Sequence, residues 1–197
     1  MGTEQQMSQV DEILGFWFGS PQDEDYGKSR KIWFIKDPTF DQEIQTRFRA
    51  DYEQAAAGEL DHWQETPQGC LALIILLDQF PRNMFRSTPQ AFATDPKALA
   101  VAQNAIAKGF DQELPFVQRQ FFYLPLEHSE NLEHQHQAVE LFRPLSQDPE
   151  TASFFDYAVR HREIIERFGR FPHRNPILRR NTTPEEAEFL KQPGSSF

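Results

Sequence analysis

The chain has 197 residues, which suits one compact domain, and its 39% hydrophobic and 25% charged residues are typical of a globular protein. The formal net charge of -10 repels a phosphate backbone and therefore argues against a nucleic-acid partner. A single cysteine, Cys70, excludes an intrachain disulfide and any multi-cysteine metal site.

Two further features predict a cytoplasmic protein with no membrane partner. Residues 1–11 are polar and acidic and lack the basic and then apolar order of a signal peptide. The longest apolar run, residues 71–77, is too short to span a bilayer. We expect a single α-helical domain over residues 1–197, with flexible tails at residues 1–8 and 192–197.

Helix signals begin near the N-terminus and recur along the chain, whereas strand-like alternation is nowhere long. Apolar spacing predicts a first helix over residues 10–18. Five more helix starts are predicted where a capping side chain precedes a proline that suits the first helical turn. These motifs are Asp37-Pro38, Thr66-Pro67, Thr94-Asp95-Pro96, Asp148-Pro149 and Thr183-Pro184.

The early helices are predicted to bury particular faces. After Pro38, apolar residues from Phe40 to Tyr52 recur every four positions along a helix that ends near Gly58. After Pro67, the chain is apolar on nearly every side as far as Phe80. This pattern predicts a central helix that is covered all round.

Three later helices are predicted over residues 97–108, 130–143 and 148–169, the first and last ended by glycines. Ser129 is the expected N-cap of the middle one, and Leu132, Val139 and Phe142 are expected to face inward. In the last one, His161 falls on the apolar face. Short loops between successive helices predict antiparallel neighbours, as a helical bundle or a stack of helical hairpins.

Three motifs carry a resemblance to a known family. They are LDQFPRN at residues 77–83, FYLPLEHSE at residues 122–130 and RFGRFPHRN at residues 167–175. With further similar segments at residues 14–19, 85–99 and 182–186, nearly the whole chain resembles the bacterial family known as domain of unknown function 924. The resemblance implies an α-helical fold like that of tetratricopeptide-repeat proteins, and it implies no established reaction, cofactor or partner.

The chain departs from that family at one turn. Family members usually have Leu-Gly-Arg where this sequence has Leu178-Arg179-Arg180. An arginine adopts a positive φ less easily than a glycine does, so the conformation of this turn is an open question.

The first group of candidate site residues lies at the end of the predicted central helix. Asp78 and Arg82 are four residues apart and share one helix face, and Arg86 follows after a proline. Such an Asp-Arg pair either binds a ligand directly or forms a buried ion pair that orders the end of the helix.

The second group is Glu127, His128 and Ser129, at a predicted junction between a loop and a helix. Free backbone N–H groups at such a junction favour anions, and His128 is a candidate acid or base near neutral pH. In the alternative interpretation, Ser129 caps the helix, Glu130 complements its dipole and His128 hydrogen-bonds a carbonyl.

The third group lies in residues 160–180, where seven arginines and no lysine make a basic stretch in an acidic protein. Arginine suits bidentate recognition of carboxylate or phosphate, so this stretch indicates an anionic ligand. Arg170, His173 and Arg174 are the expected binding residues, and Asn175 is expected to brace their turn. The remaining arginines are expected to line solvated helix ends.

Together these groups suggest an inter-helix pocket, lined by Phe and Trp, in which Arg82, His128, His161 and the turn at residues 170–174 bind a small carboxylate- or phosphate-bearing molecule. If the protein is an enzyme, His128 or His161 with Glu127 is the expected acid-base pair. The alternative is a helical scaffold that binds a peptide or protein partner in a groove without catalysis. Metalloprotease and phosphate-loop motifs are absent, so the sequence assigns no metal, cofactor or substrate.

Overall fold

The computed structural model describes residues 2–196 of the chain, with side chains from residue 9 onward. These residues form one all-α domain without a β-strand, which confirms the predicted fold class. None of the described helices is both long and apolar enough to cross a membrane. The helices are α1 (Gly2–Phe18), α2 (Pro38–Ala57), α3 (Pro67–Ile74), α4 (Phe80–Met84), α5 (Asp95–Ala107), α6 (Phe116–Glu127), α7 (Leu132–Phe142), α8 (Ala152–Phe168) and α9 (Pro184–Phe189).

The structure covers the predicted tails only in part. Residues 2–8 lie in α1, while residues 1 and 197 and the side chains of residues 2–8 are outside the described part of the chain. Near the C-terminus, Ser195 is buried, and its hydroxyl donates a hydrogen bond to the carbonyl of Leu190 at 3.1 Å. This contact holds residue 195 against the end of α9.

The predicted central helix is confirmed, and it consists of α3 and α4 joined by a π-helical turn, Ile75–Gln79. All residues from Cys70 to Asp78 are 0% exposed. Gly69 lies where a Cβ atom would come within 2.1 Å of the carbonyl oxygen of Trp63, so only glycine fits this close approach. The central helix is therefore surrounded on all sides, as its apolar sequence predicts.

Pro81 explains how α5 is attached to this helix. Proline has no N–H to donate to the carbonyl four residues earlier, which is that of Leu77. The Thr94 hydroxyl donates to this carbonyl instead, at 2.6 Å, and is thus unavailable as a helix cap. The side-chain cap predicted in the Thr94-Asp95-Pro96 motif is absent, because the Thr94 hydroxyl donates to a buried carbonyl of the central helix.

The other predicted helix starts are partly confirmed. Asp37, Thr66 and Thr183 each cap their helix through the side chain. The prediction at Asp148 was wrong, because α8 begins only at Ala152 and residues 149–151 form a turn. Gly58, Gly109 and Gly169 have φ values of 88°, 75° and 67°, as expected of residues that end helices in the left-handed conformation.

Three predictions around the second candidate group were wrong. Residues 116–127 form α6 and continue through Pro125, where a loop was expected. Pro125 removes one backbone hydrogen bond of the helix, and the burial of residues 120–127 outweighs that loss. The next helix, α7, is capped by Asn131 and not by Ser129. Its first residue, Leu132, is 40% exposed and does not face inward as predicted.

The packing order places the candidate residues. α3 packs against α1, α5 and α6, and each of α5, α6 and α7 packs against the next helix in the chain. This arrangement brings the π-helical turn, the start of α5, the C-terminal end of α6 and the middle of α8 to one region.

Candidate functional site

Seven polar side chains from distant parts of the sequence form a connected group, which we call the polar cluster. The π-helical turn and α4 supply two of them, α5 one, the end of α6 two, α8 one, and the loop after α8 the last. They are Asp78, Arg82, Asp95, Glu127, His128, His161 and Arg174. Six of these seven are predicted site residues, and the structure brings those six together.

Asp78 is the buried centre of the polar cluster, with 0% exposure. One of its carboxylate oxygens lies 2.8 Å from Nδ1 of His128 and 3.2 Å from Nη1 of Arg82. Burial by itself raises the pKa of Asp78, but the charge of Arg82 and the hydrogen bond from His128 outweigh it and hold the pKa well below the usual range. Asp78 is therefore ionised, and it orients the His128 ring.

Arg82 links Asp78 to a carboxylate that the sequence did not indicate. Its two terminal nitrogens donate to both oxygens of Asp95, at 2.8 and 3.0 Å, and Nη1 also donates to the Asp78 carbonyl at 2.8 Å. Asp95 belongs to a helix-start motif, and nothing in the sequence singles it out as an arginine partner. The pair occupies the edge of Arg82 formed by Nη1 and Nη2.

Arg174 approaches from the loop after α8 and is 7% exposed. Its Nη1 donates to the carbonyl of His128 at 3.0 Å and lies 3.9 Å from Asp95. Its Nε is buried and has no hydrogen-bond partner among the described residues. Burial and the nearby charge of Arg82 lower the pKa of Arg174 to about 10, so it stays protonated at neutral pH.

Glu127 and His161 form a second buried pair beside His128. Oε1 of Glu127 lies 3.2 Å from Nδ1 of His161, which also donates to the Tyr157 carbonyl at 2.8 Å. Burial, with a contribution from Asp78, raises the pKa of Glu127 to about 8, and burial lowers that of His161 to about 3. At neutral pH both groups are uncharged, and the second oxygen of Glu127 has no hydrogen-bond partner in the described part of the chain.

The conformation of the α6 C-terminus, which presents Glu127 and His128, depends on Gln135 of α7. The Gln135 side chain is fully buried, and its Nε2 donates to the carbonyls of Glu127 and Ser129, both at 2.6 Å. Carbonyls at a helix end have no partner within the helix, so this amide replaces the missing donors. No sequence pattern identified Gln135 as a positioning residue.

The remaining predicted site residues lie in other pairings. Arg86 binds the carboxylate of Asp41, and the Ser129 hydroxyl lies 2.9 Å from Nδ1 of His134. His173 is partly buried, and burial together with the charge of Arg174 lowers its pKa to about 4. Two backbone N–H groups that were expected to be free at this junction are paired, since His128 N donates to the carbonyl of Leu124 and Ser129 N to that of Leu126.

The basic stretch is largely neutralised by carboxylates. Arg170 binds both oxygens of Glu186, at 2.7 and 2.9 Å, and Arg180 binds both oxygens of Glu130, at 2.7 and 3.0 Å. Asn175 is fully buried and also donates to Glu186, so it braces the turn as expected. Arg170 therefore contacts the capping box of α9 and does not reach the polar cluster by any hydrogen bond.

The turn at Arg179 keeps the conformation that a glycine would favour. Arg179 has a φ of 55°, and the next backbone N–H still donates to the Asn175 carbonyl at 2.8 Å. A left-handed residue other than glycine costs about 1 kcal/mol.

We therefore expect Arg179→Gly to raise the free energy of unfolding by about 0.5–1 kcal/mol. Arg179 is exposed, so Arg179→Ala removes the same side chain but retains the strained φ and is expected to give no gain. Urea unfolding of the two variants tests this, and equal stabilities would contradict it.

Comparison with other proteins agrees with the three sequence motifs. The family model for bacterial proteins of unknown function, DUF924, matches residues 13–194. A solved structure of a protein of unknown function, ATU0120 from Agrobacterium tumefaciens, is 44% identical to this chain, with a TM-score of 0.84, and the match covers 94% of this chain and 98% of the other. None of the curated proteins matches. The chain therefore belongs to the DUF924 family of bacterial proteins.

Proposed function

We propose that the polar cluster binds a small anionic molecule that carries a carboxylate or a phosphate. The observation that carries this proposal is Arg174, a charged side chain more than nine-tenths buried whose Nε has no acceptor in the described structure. A buried donor without an acceptor is costly, and a bound anion supplies an acceptor. Arg82 and His128 lie next to it and are each partly accessible, with side-chain exposures of 19% and 15%.

The same cluster supports acid-base chemistry on the bound molecule. Glu127 is a buried, protonated carboxylic acid at neutral pH, and one of its oxygens has no partner among the described residues. A group whose pKa lies near the working pH transfers protons most effectively. In this proposal Glu127 is the acid, and His161, whose Nδ1 is 3.2 Å from it, is its neutral neighbour.

Thermal unfolding in acetate and in inorganic phosphate, each compared with sodium chloride at equal ionic strength, tests anion binding. Either anion is expected to raise the Tm of the wild type. His128→Asn keeps a donor for Asp78 but removes the imidazole, so it is expected to lose most of that increase. The matched control is His136→Asn, because His136 is 56% exposed and lies outside the polar cluster, with its Nε2 3.3 Å from Glu166. No increase with either anion, or an unchanged increase in His128→Asn, would remove the proposal.

A scaffold that binds a peptide or protein is the second candidate, and the arginine pairing favours it. Arg82, Arg170 and Arg180 each donate two hydrogen bonds to one carboxylate of their own chain. Such closed pairs fix the junctions between helices and leave recognition to other surfaces. Helices α5 to α8, each packed on the next, support a comparison with tetratricopeptide-repeat folds. For both candidate functions, we propose that the protein acts in the cytoplasm.

A further inference from the structure

The guanidinium of Arg174 has one edge that the protein does not use. Only Nη1 donates a hydrogen bond, to the His128 carbonyl. Nη2 forms no hydrogen bond with the described residues, and Nε is buried without a partner. The pair formed by Nε and Nη2 is one of the two edges through which arginine binds a carboxylate with two parallel hydrogen bonds.

Two aromatic rings fix this guanidinium in place. Its central carbon lies over the ring of Phe92 at 4.8 Å and over the ring of Phe171 at 4.5 Å from the ring centres. Because a carboxylate bound bidentately lies in the plane of the guanidinium, it fits beside ring faces more easily than a tetrahedral phosphate does. The apolar rings also exclude water from the hydrogen bonds.

The charges around this edge balance. The two carboxylates of Asp78 and Asp95 offset the two guanidiniums of Arg82 and Arg174, and Glu130 is paired with Arg180. A phosphate monoester carries about -1.5 to -2 charges at neutral pH, whereas a carboxylate carries one. A cluster without excess positive charge therefore disfavours the phosphate more strongly.

Building on the proposed function, we infer that the ligand is a small monocarboxylate whose two oxygens accept hydrogen bonds from Nε and Nη2 of Arg174, and that phosphate binds more weakly. The guanidinium edge then fixes the carboxylate of the ligand next to the partly accessible side chain of His128, while Arg82 remains bound to Asp95. The arginine that matters for specificity is Arg174 and not the rest of the basic stretch.

Titration of the full chain with acetate and with inorganic phosphate, at equal ionic strength and near neutral pH, tests the inference. Acetate is expected to raise the Tm more than phosphate does and to shift the Arg174 Nε–H resonance in ¹H–¹⁵N spectra. Arg174→Lys keeps the charge but loses the bidentate edge, so its affinity for acetate is expected to fall about tenfold or more. The control is Arg167→Lys, whose arginine is 49% exposed and binds Glu185.

If Arg174→Lys does not fold, Phe92→Leu takes its place, since it leaves the guanidinium intact and removes one ring face. This variant is expected to bind acetate several-fold more weakly. Wild-type affinity for acetate in the folded variant overturns the inference. A stronger effect of phosphate than of acetate also overturns it, although the proposed function then stands. If neither anion binds, both fail together.

Discussion

Asp78→Ala is expected to lower the free energy of unfolding by about 3–5 kcal/mol, the range for removing one partner of a buried ion pair. Asp78 is fully buried, and its loss leaves Arg82 and His128 without the carboxylate that they share. The remaining partner, Asp95, still binds Arg82 but does not reach His128 by any hydrogen bond in the described structure. Urea unfolding near neutral pH measures the effect.

Glu53→Ala is a suitable control for that variant. Glu53 pairs with Arg49 four residues away, as Asp78 does with Arg82, but both side chains are more than half exposed. Exposed pairs of this spacing contribute about 0.3–0.5 kcal/mol. If Asp78→Ala destabilises the chain no more than Glu53→Ala, the polar cluster does not stabilise the junction between α4, α5 and α6.

Glu127→Gln is expected to make the protein more stable at alkaline pH. The pKa of Glu127 is about 8 in the folded protein, against an ordinary value of 4.5 for a glutamate in water. Between these values the folded state holds one more proton than the unfolded state, so the stability of the wild type falls as pH rises and levels off above about pH 8. Glutamine resembles the protonated acid and does not ionise. The advantage of the variant should therefore grow from pH 5 to pH 9 and reach the order of 4 kcal/mol.

At acid pH the protein loses stability for a different reason, and this loss is the same in Glu127→Gln as in the wild type. His161 has a pKa of about 3 in the folded state, so the unfolded state binds the extra proton and stability falls as pH drops below about 6.5. The wild type and Glu127→Gln share this loss of stability from His161. It therefore cancels when the free energy of unfolding of one is subtracted from that of the other. Glu163→Gln, at an exposed position of α8, should give a profile parallel to that of the wild type. A Glu127→Gln profile that also runs parallel would show that Glu127 is ionised in the fold.

The sequence predicted several pieces of the candidate site but not how they pair. Asp78, Arg82 and His128 stand out because they are polar residues within aromatic or apolar sequence, and the structure places them in direct contact. Their partner Asp95 and the bracing amide of Gln135 carry no local signal. Arg170 has the same composition around it as Arg174, yet only Arg174 reaches the polar cluster. Composition cannot separate the two arginines, because their roles depend on which carboxylate lies within reach.

The sequence by itself determined the all-α class, the central helix and the caps at Asp37, Thr66 and Thr183, because helix periodicity and capping act over a few neighbouring residues. Tertiary structure decided that α6 continues through Pro125 and that the Thr94 hydroxyl donates a hydrogen bond to the Leu77 carbonyl. Both features depend on contacts between distant segments. Tertiary structure also decided which charges are neutralised and which edge of Arg174 stays open. Ion pairing and burial depend on distances that only the packed helices set.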